Sequence, residues 1–191
     1  MAEASPTVSA GMLLPARISI IVPCYNEAEN VVPLVAALDA ALERERWEVI
    51  FVDDNSPDGT AERVSKVANN DPRVRVIKRV GRRGLSSAVI EGFLSSSAPY
   101  VAVMDGDLQH DETVLPKMLA DLDAGSDIVV ASRHVEGGDN AGLAGYCRLL
   151  PSDTGIRAAH SVLPHRLTDP SSWFFVMRRD LFQAVPPQLS G

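Results

Sequence analysis

The stretch Ile18-Ser-Ile-Ile-Val22-Pro-Cys-Tyr-Asn-Glu27 decides the fold. Its β-branched first half predicts a buried strand that stops at Pro23. The next segment, residues 26–46, predicts a helix, because apolar side chains recur there at steps of three and four. These side chains are Val31, Leu34, Val35, Leu38, Ala41 and Leu42. A buried strand that leads through polar residues into an amphipathic helix indicates an α/β protein.

The same alternation continues along the chain. Further strands are predicted at 47–52, 74–77, 100–104, 127–131 and 173–177, and further helices at 60–68, 85–94, 113–122, 154–162 and 179–185. Strands separated by helix-length segments predict right-handed βαβ units and a mostly parallel central sheet flanked by helices. The length of 191 residues suits one domain, which we place at 17–191 after a flexible lead-in at 1–16.

Composition narrows the class of protein. The formal net charge of −7 disfavours a nucleic-acid binder, which usually carries a basic excess. Cys24 and Cys147 lie far apart, so they show no metal-type spacing and do not indicate an oxidising compartment. No stretch is long and apolar enough to span a bilayer, and residues 1–16 lack the pattern of a signal peptide. We therefore expect a cytoplasmic protein.

Polar side chains follow the predicted strands at the points where they end. The first strand runs into 23–27, the second into Asp53 and Asp54, the fourth into 105–109 and the fifth into Ser132-Arg133. In open parallel sheets, ligands bind beyond the carboxyl ends of the strands. Four such ends carrying polar groups predict one binding site at that edge.

Asp105 and Asp107 flank Gly106 at the end of the fourth strand. Two carboxylates in this arrangement can bring oxygen ligands to one hard cation, and such a cation would stabilise a departing diphosphate. The alternative is a capped turn before the next helix, because aspartate favours turns for backbone reasons alone. The neighbouring Gln109 and the other polar strand ends favour the cation.

Common nucleotide and hydrolase motifs are absent from the sequence. It contains no Gly-x-Gly-x-x-Gly after the first strand, no Gly-x-x-x-x-Gly-Lys-Ser/Thr and no Gly-x-Ser-x-Gly. The first strand ends instead in Tyr25 and Glu27, which suit stacking on a base and hydrogen bonding to a base and ribose. The basic run Lys78, Arg79, Arg82 and Arg83 before Gly84 fits either a phosphate site at a helix start or a solvated loop.

Taken together, the motifs resemble glycosyltransferase family 2, in its polyprenyl-phosphate (dolichol-phosphate) mannosyltransferase branch. The resemblance covers about residues 18 to 180 and rests on Val22-Pro-Cys-Tyr-Asn-Glu27, Val52-Asp-Asp-Asn-Ser-Pro-Asp-Gly-Thr60, Gly84-Leu-Ser-Ser-Ala88, Met104-Asp-Gly-Asp-Leu-Gln-His110, Ser132-Arg133 and Thr168-Asp-Pro170. It implies a GT-A fold and an inverting transfer, dependent on Mg²⁺ or Mn²⁺, of mannose from GDP-mannose to a polyprenyl (dolichyl or undecaprenyl) phosphate.

The resemblance also implies roles for individual residues. The nucleotide-sugar positions are Pro23, Tyr25, Glu27, Val52, Asp54, Asp105, Gly106, Asp107, Gln109, Arg133 and Ser152. Asp107 and Gln109 match the metal ligands, and Asp107, Arg133 and Arg148 match the groups that act in the transfer. Arg148 and Ser152 keep the spacing of an acceptor-phosphate clamp. A lipid acceptor implies peripheral contact at the cytoplasmic face of a membrane, through a surface near 145–178.

The chain departs from the family pattern at Trp173, where the family has glycine, and it ends without the family's further basic contacts. Three alternatives therefore stay open. One is a family 2 enzyme with another donor or a saccharide acceptor, for which Asp169 would be the catalytic carboxylate. Another is a sugar-phosphate nucleotidyltransferase, although its glycine-rich basic loop is missing. The third is a truncated nucleotide-sugar-binding module without activity.

Overall fold

The computed structural model describes residues 15–131 and 173–184. Its strands are β1 (Ile18–Cys24), β2 (Trp47–Asp53), β3 (Val74–Lys78), β4 (Tyr100–Val103), β5 (Ile128–Val130) and β6 (Phe175–Arg178). Its helices are α1 (Val31–Ala41), α2 (Thr60–Ala68), α3 (Leu85–Ser95), α4 (Leu115–Asp123) and α5 (Arg179–Ala184), with a 3₁₀ turn at Glu112–Val114. The predicted alternation of strands and helices is confirmed within these ranges, and the helix predicted at 154–162 lies outside them.

The six strands form one sheet in the order β3-β2-β1-β4-β6-β5. β1 pairs in parallel with β2 on one side and with β4 on the other, and β3 extends the parallel part beyond β2. Two apolar clusters cover the sheet. One packs α1 and α4 against β1, and the other packs α3 against β1, β2 and β4. The strand-helix pattern in the sequence therefore predicted the layered architecture correctly.

β1 does not stop at Pro23 as expected but continues to Cys24. The carbonyl of Ile21 accepts a hydrogen bond from the Met104 amide, so the backbone N–H and C=O of Ile21 face β4. Every second residue of a strand faces the same neighbour, so the backbone of Pro23 also faces the β4 side. The pairing of β1 with β4 ends at Ile21 and Val103. The missing N–H of Pro23 thus falls where no ladder bond is made, and the strand tolerates it.

Two predicted helices have different limits in the structure. α1 is shorter than the segment 26–46, because Asn26 has a left-handed φ of 64° and residues 28–30 form a turn. The helix predicted at 113–122 divides into the 3₁₀ turn Glu112–Val114 and α4. Pro116 lies in the first turn of α4, where its missing N–H breaks no helical bond.

The sheet is mixed at one side rather than parallel throughout. β6 runs antiparallel between β4 and β5, pairing with both. The strand begins at Phe175 rather than at Trp173, and β5 has no direct pairing with β4. Local periodicity indicates that a segment is a strand, but its partner is decided by long-range packing, which the sequence pattern does not contain.

No helix among the described residues is long and apolar enough to cross a membrane.

Helix α3 approaches β1 closely at Gly92. A Cβ added there would lie 2.2 Å from Ile21 Cγ2, which belongs to a stiff, fully buried β-branched side chain. We expect Gly92→Ala to lower the free energy of unfolding by about 1–3 kcal/mol in a urea titration, because the core must shift to admit the methyl group. Ser86→Ala, on the exposed first turn of the same helix, should stay within about 0.5 kcal/mol of the parent. Equal effects would contradict the close packing.

Candidate functional site

The order of strands creates a crevice at the carboxyl edge of the sheet. Chain connections run from β1 outward to β2 and β3, and then return to β4 on the opposite side of β1. Loops that leave β1 and β4 therefore diverge, which is the usual position of a ligand in open α/β sheets. The segments that follow these two strands, 25–30 and 105–110, carry half of the predicted site residues, namely Tyr25, Glu27, Asp105, Gly106, Asp107 and Gln109.

The loop after β1 is held in place by the loop after β2. The amide of Asn26 donates to Ser56 Oγ at 2.9 Å, and that of Glu27 donates to Thr60 Oγ1 at 2.9 Å. The Asp58 carboxylate accepts from the Ala28 amide at 3.0 Å. These bonds use the amides of consecutive residues, so the backbone beneath Tyr25 and Glu27 is fixed while the Tyr25 ring stays 45% exposed. A shallow cavity of about 600 Å³ opens here, lined by Asn26, Glu27, Ala28, Glu29, Asn30, Pro57 and Asp58.

The turn after β4 packs directly against the end of β1. Gly106 is buried, and a Cβ there would lie 3.3 Å from Val22 and 3.6 Å from the Glu27 side chain. Leu108 adopts a left-handed φ of 61°, which reverses the chain within a few residues. Asp107 Oδ1 accepts from the Gln109 amide at 3.1 Å, and the Asp107 and Gln109 side chains are exposed. The predicted metal ligands therefore lie together on one tight turn.

Asp54 at the end of β2 forms a buried ion pair that the sequence did not reveal. Its two carboxylate oxygens accept from the Arg79 guanidinium and from the Gly84 amide, the latter at 2.8 Å. Arg79 is only 1% exposed and also donates to Gly84 O at 3.1 Å and to Ser87 Oγ. Arg79 Nε lies 3.4 Å from Glu91, an ionic contact without a hydrogen bond. Arg79 thus joins the end of β2 to the start of α3.

The remaining cations of the basic run each have a different neighbour. Lys78 pairs with Glu62 at 2.9 Å, and Arg82 pairs with Glu91 at 2.7 Å. Arg83 places its guanidinium carbon 4.8 Å from the centre of the Tyr25 ring, a cation–π contact at the rim of the crevice. The run is therefore neither one phosphate cluster nor a plain solvated loop. Arg83 is the member that borders the predicted nucleoside position.

Acidic groups dominate the electrostatics of this edge. The pKa of the Cys24 thiol is raised by burial first and then by the charges of Asp53, Glu27, Asp54 and Asp58, so the thiol stays protonated. Burial raises the pKa of Asp58, but hydrogen bonds from Thr60 and Ala28 outweigh it and lower the pKa below its usual value. An anionic ligand at this edge needs positive charge beyond that of Arg79 and Arg83.

The residues of the β4 turn fit a divalent cation that is shared with a diphosphate. Within the described ranges, no three His, Cys, Asp or Glu side chains surround one point, so a cage built from protein alone is not present there. Mg²⁺ characteristically takes one or two carboxylates together with phosphate oxygens. The carboxylate of Asp107 and the side-chain amide oxygen of Gln109, both on an exposed turn, meet that requirement.

The other predicted site residues fall into two groups. Pro23 lies at the crevice end of β1, and Val52, its partner in register on β2, is fully buried, so Val52 presents no side-chain surface to a ligand. Arg133, Arg148, Ser152 and Asp169 lie outside the described residues, and their roles stay predictions. His110 was not assigned a role from the sequence, although it ends one of the quoted motifs. Arg79 was considered only as a member of the basic run before Gly84.

Comparison with solved structures identifies the fold. A mannosyltransferase from Pyrobaculum calidifontis in complex with GDP-Man and Mn²⁺ superposes with a TM-score of 0.60 at 20% identity, covering 89% of this chain and 46% of that one. Glucosyl-3-phosphoglycerate synthase from Mycobacterium tuberculosis, solved with Mn²⁺, UDP-Glc and phosphoglyceric acid, gives 0.62 at 18% identity, covering 89% and 59%. The fold is that of GT-A type glycosyltransferases, as the resemblance implied.

Sequence comparison then gives the family. The model of glycosyl transferase family 2 matches residues 19–185, and the chain belongs to that family. Dolichol-phosphate mannosyltransferase of Pyrococcus furiosus is 40% identical over 171 residues, which are 88% of this chain and 48% of the relative. The protein of the same name from Saccharomyces cerevisiae is 35% identical over 174 residues, or 89% and 64%. The chain thus spans between about half and two thirds of the length of these relatives.

Arg79 and Arg82 allow a matched test of the buried ion pair. We expect Arg79→Met to lower the free energy of unfolding by about 3–5 kcal/mol, because Asp54 would keep a largely buried charge without its partner. Arg82→Met removes a pair whose arginine is 66% exposed and should change stability by less than about 1 kcal/mol. Urea unfolding followed by circular dichroism measures both. A similar small change in the two variants would contradict a structural role for Arg79.

Proposed function

We propose that this chain is an inverting glycosyltransferase that moves mannose from GDP-mannose to a polyprenyl phosphate. The observation that carries the proposal is the crevice between β1 and β4. Tyr25 and Glu27 follow β1 at the same edge of the sheet as the turn that bears Asp105, Asp107 and Gln109, and Gly106 of that turn lies close to the Glu27 side chain. Relatives named dolichol-phosphate mannosyltransferase, at 35–40% identity, support mannose as the sugar and a lipid phosphate as the acceptor.

The nucleoside end of the donor would bind at the loops after β1 and β2. Tyr25 offers its ring for stacking on the base, with Arg83 already against it. Glu27 and Asp54 are the acceptors available for the hydroxyl and amino groups of the nucleoside. Asp54 is held by Arg79 and Gly84, so its position is set before the ligand arrives.

The diphosphate end would bind at the turn after β4. A divalent cation held there by Asp107 and Gln109 would supply positive charge to the diphosphate as the leaving group. Gly106 lets this turn pack closely against β1, because a Cβ there would meet Val22 and the Glu27 side chain. In the transfer, an oxygen of the acceptor phosphate attacks the anomeric carbon as the bond to the diphosphate breaks, and GDP leaves. The acceptor is already anionic, so no protein base has to remove a proton.

The acceptor site would be formed by residues of which the structure describes only some. Arg133 is proposed to contact the donor diphosphate, and Arg148 and Ser152 to orient the acceptor phosphate. Trp173, where the family has glycine, lies just before β6 and is 43% exposed. Because β6 is antiparallel to β4, Trp173 lies at the same edge of the sheet as Asp105. We therefore propose that its side chain borders the acceptor side of the crevice.

The test of the reaction is transfer of labelled mannose from GDP-mannose to a short polyprenyl phosphate with Mn²⁺. We expect lipid-linked product that depends on the metal and falls about 100-fold or more in Asp107→Asn, since the leaving group loses its counter-charge. Asp111→Asn is the matched control. Asp111 caps the 3₁₀ turn by accepting from Thr113, and asparagine caps equally well.

Parallel calorimetry with GDP and Mn²⁺ separates the alternatives. Metal-dependent GDP binding without transfer would favour a nucleotide-sugar-binding module. Product formed on a saccharide and not on the lipid phosphate would favour the other acceptor class. Absence of GDP binding would contradict the proposed site itself.

A lipid-linked acceptor requires contact with a bilayer, because its tail stays in the membrane while its phosphate reaches the crevice. We expect the protein to float with vesicles that contain polyprenyl phosphate in a density gradient, more strongly in the presence of GDP and Mn²⁺. Vesicles of the same phospholipid without the carrier are the control. Failure to float with either kind of vesicle would contradict the proposed peripheral association at the cytoplasmic face.

A further inference from the structure

His110 ends the Met104–His110 stretch, and neither the predicted metal site nor the nucleoside site uses it. Its side chain is only 7% exposed, although the residues just before it lie on an exposed turn. The left-handed turn at Leu108 brings the chain back so that His110 Nε2 lies 3.1 Å from Asp105 Oδ2. A buried imidazole thus holds one end of the turn that carries the proposed metal ligands.

The imidazole has a fixed support on its other side. The ring centre of His110 lies 5.1 Å from that of Phe174, with the planes tilted by 43°. Phe174 is 2% exposed, and its carbonyl accepts from the Ala131 amide at 2.9 Å, which ties it to the end of β5. A ring that packs against a buried aromatic side chain such as Phe174 keeps one orientation. His110 therefore connects the β4 turn to the antiparallel part of the sheet.

The hydrogen bond is not needed to satisfy a buried carboxylate. The Asp105 side chain is 38% exposed, so water could solvate it without help from His110. What the bond does is restrict the rotamers of Asp105. An ionised carboxylate only accepts hydrogen bonds, so the proton of this pair is on Nε2 of His110. Nε2 of His110 is therefore not available to ligate a metal while it is bonded to Asp105.

We propose that His110 is a positioning residue that fixes the Asp105 carboxylate for contact with the metal-bound diphosphate of the donor, with Phe174 as its support. The inference rests on the proposed donor site. Groups that hold the ligating or contacting side chains of a metal site commonly change affinity by about 10–100-fold when they are removed. His110 acts through Asp105 and touches no reacting atom.

Two substitutions at His110 separate positioning from packing. His110→Gln keeps an N–H in the place of Nε2, whereas His110→Phe keeps a ring against Phe174 and removes the donor. We expect calorimetry to show an affinity for GDP with Mn²⁺ that is about 10–100-fold weaker in His110→Phe and near the parent value in His110→Gln. The melting temperatures of both variants should stay close to that of the parent. Parent-like affinity in His110→Phe, or equal loss in the two variants, would overturn the proposal.

A second measurement uses the protein without metal or nucleotide. The ring nitrogen signals of His110 in ¹⁵N-histidine-labelled protein, assigned by their loss in His110→Gln, should shift in Asp105→Asn because the charged acceptor is removed. An unchanged signal would show that the pair does not form in solution and would overturn the proposal. If the parent bound no GDP with Mn²⁺, the proposed function and the ligand-directed role of His110 would fail together, while the ring signal would still report the His110–Asp105 contact.

Discussion

Strand β1 hydrogen-bonds to a parallel neighbour along each of its edges, and the position of the candidate site depends on this pairing. Seven residues, Ile18–Cys24, pair with β2, but only the first four of them pair with β4. β1 therefore continues past the end of the β4 ladder, and Pro23 offers no N–H on that side to extend it. The crevice begins where the second ladder stops. Gly106 then lies close against Val22, which brings the acidic turn to the same opening.

A site built on carboxylates must still accept a diphosphate. Arg79 neutralises Asp54 from below, within the core, and so leaves that carboxylate oriented but less repulsive. Arg83 lies at the rim on Tyr25, and the cation expected at Asp107 and Gln109 would supply the remaining charge. The acidic groups of this edge, which add to burial in raising the pKa of Cys24, thus have separate counter-charges in Arg79 and Arg83, and the proposed cation would add a third. This separation explains why metal and nucleotide are expected to bind together rather than independently.

The sequence was sufficient for the parts that local patterns encode. Apolar periodicity placed α2 at Thr60–Ala68 with its observed limits, and the polar residues after β1, β2 and β4 were expected at one edge because parallel strands share a direction. The burial of Arg79 was not predictable, since a run of four cations reads as a surface loop until Asp54 and Ser87 are seen to surround one of them. The antiparallel placement of β6 was missed for the same reason. Both features depend on contacts between residues far apart in the chain.

The antiparallel placement of β6 also bears on how the protein is made. β6 starts at residue 175 yet fills the gap between β4, which ends at residue 103, and β5, which ends at residue 130. During synthesis, both strands expose unpaired edges until this late segment has left the ribosome, and exposed edges promote pairing between chains. Phe174, the support of His110, arrives with the same segment. A nascent chain would therefore pair the edges of β4 and β5 and gain the support for its acidic turn in one late step, and chaperone protection of the unpaired edges would be most valuable just before it.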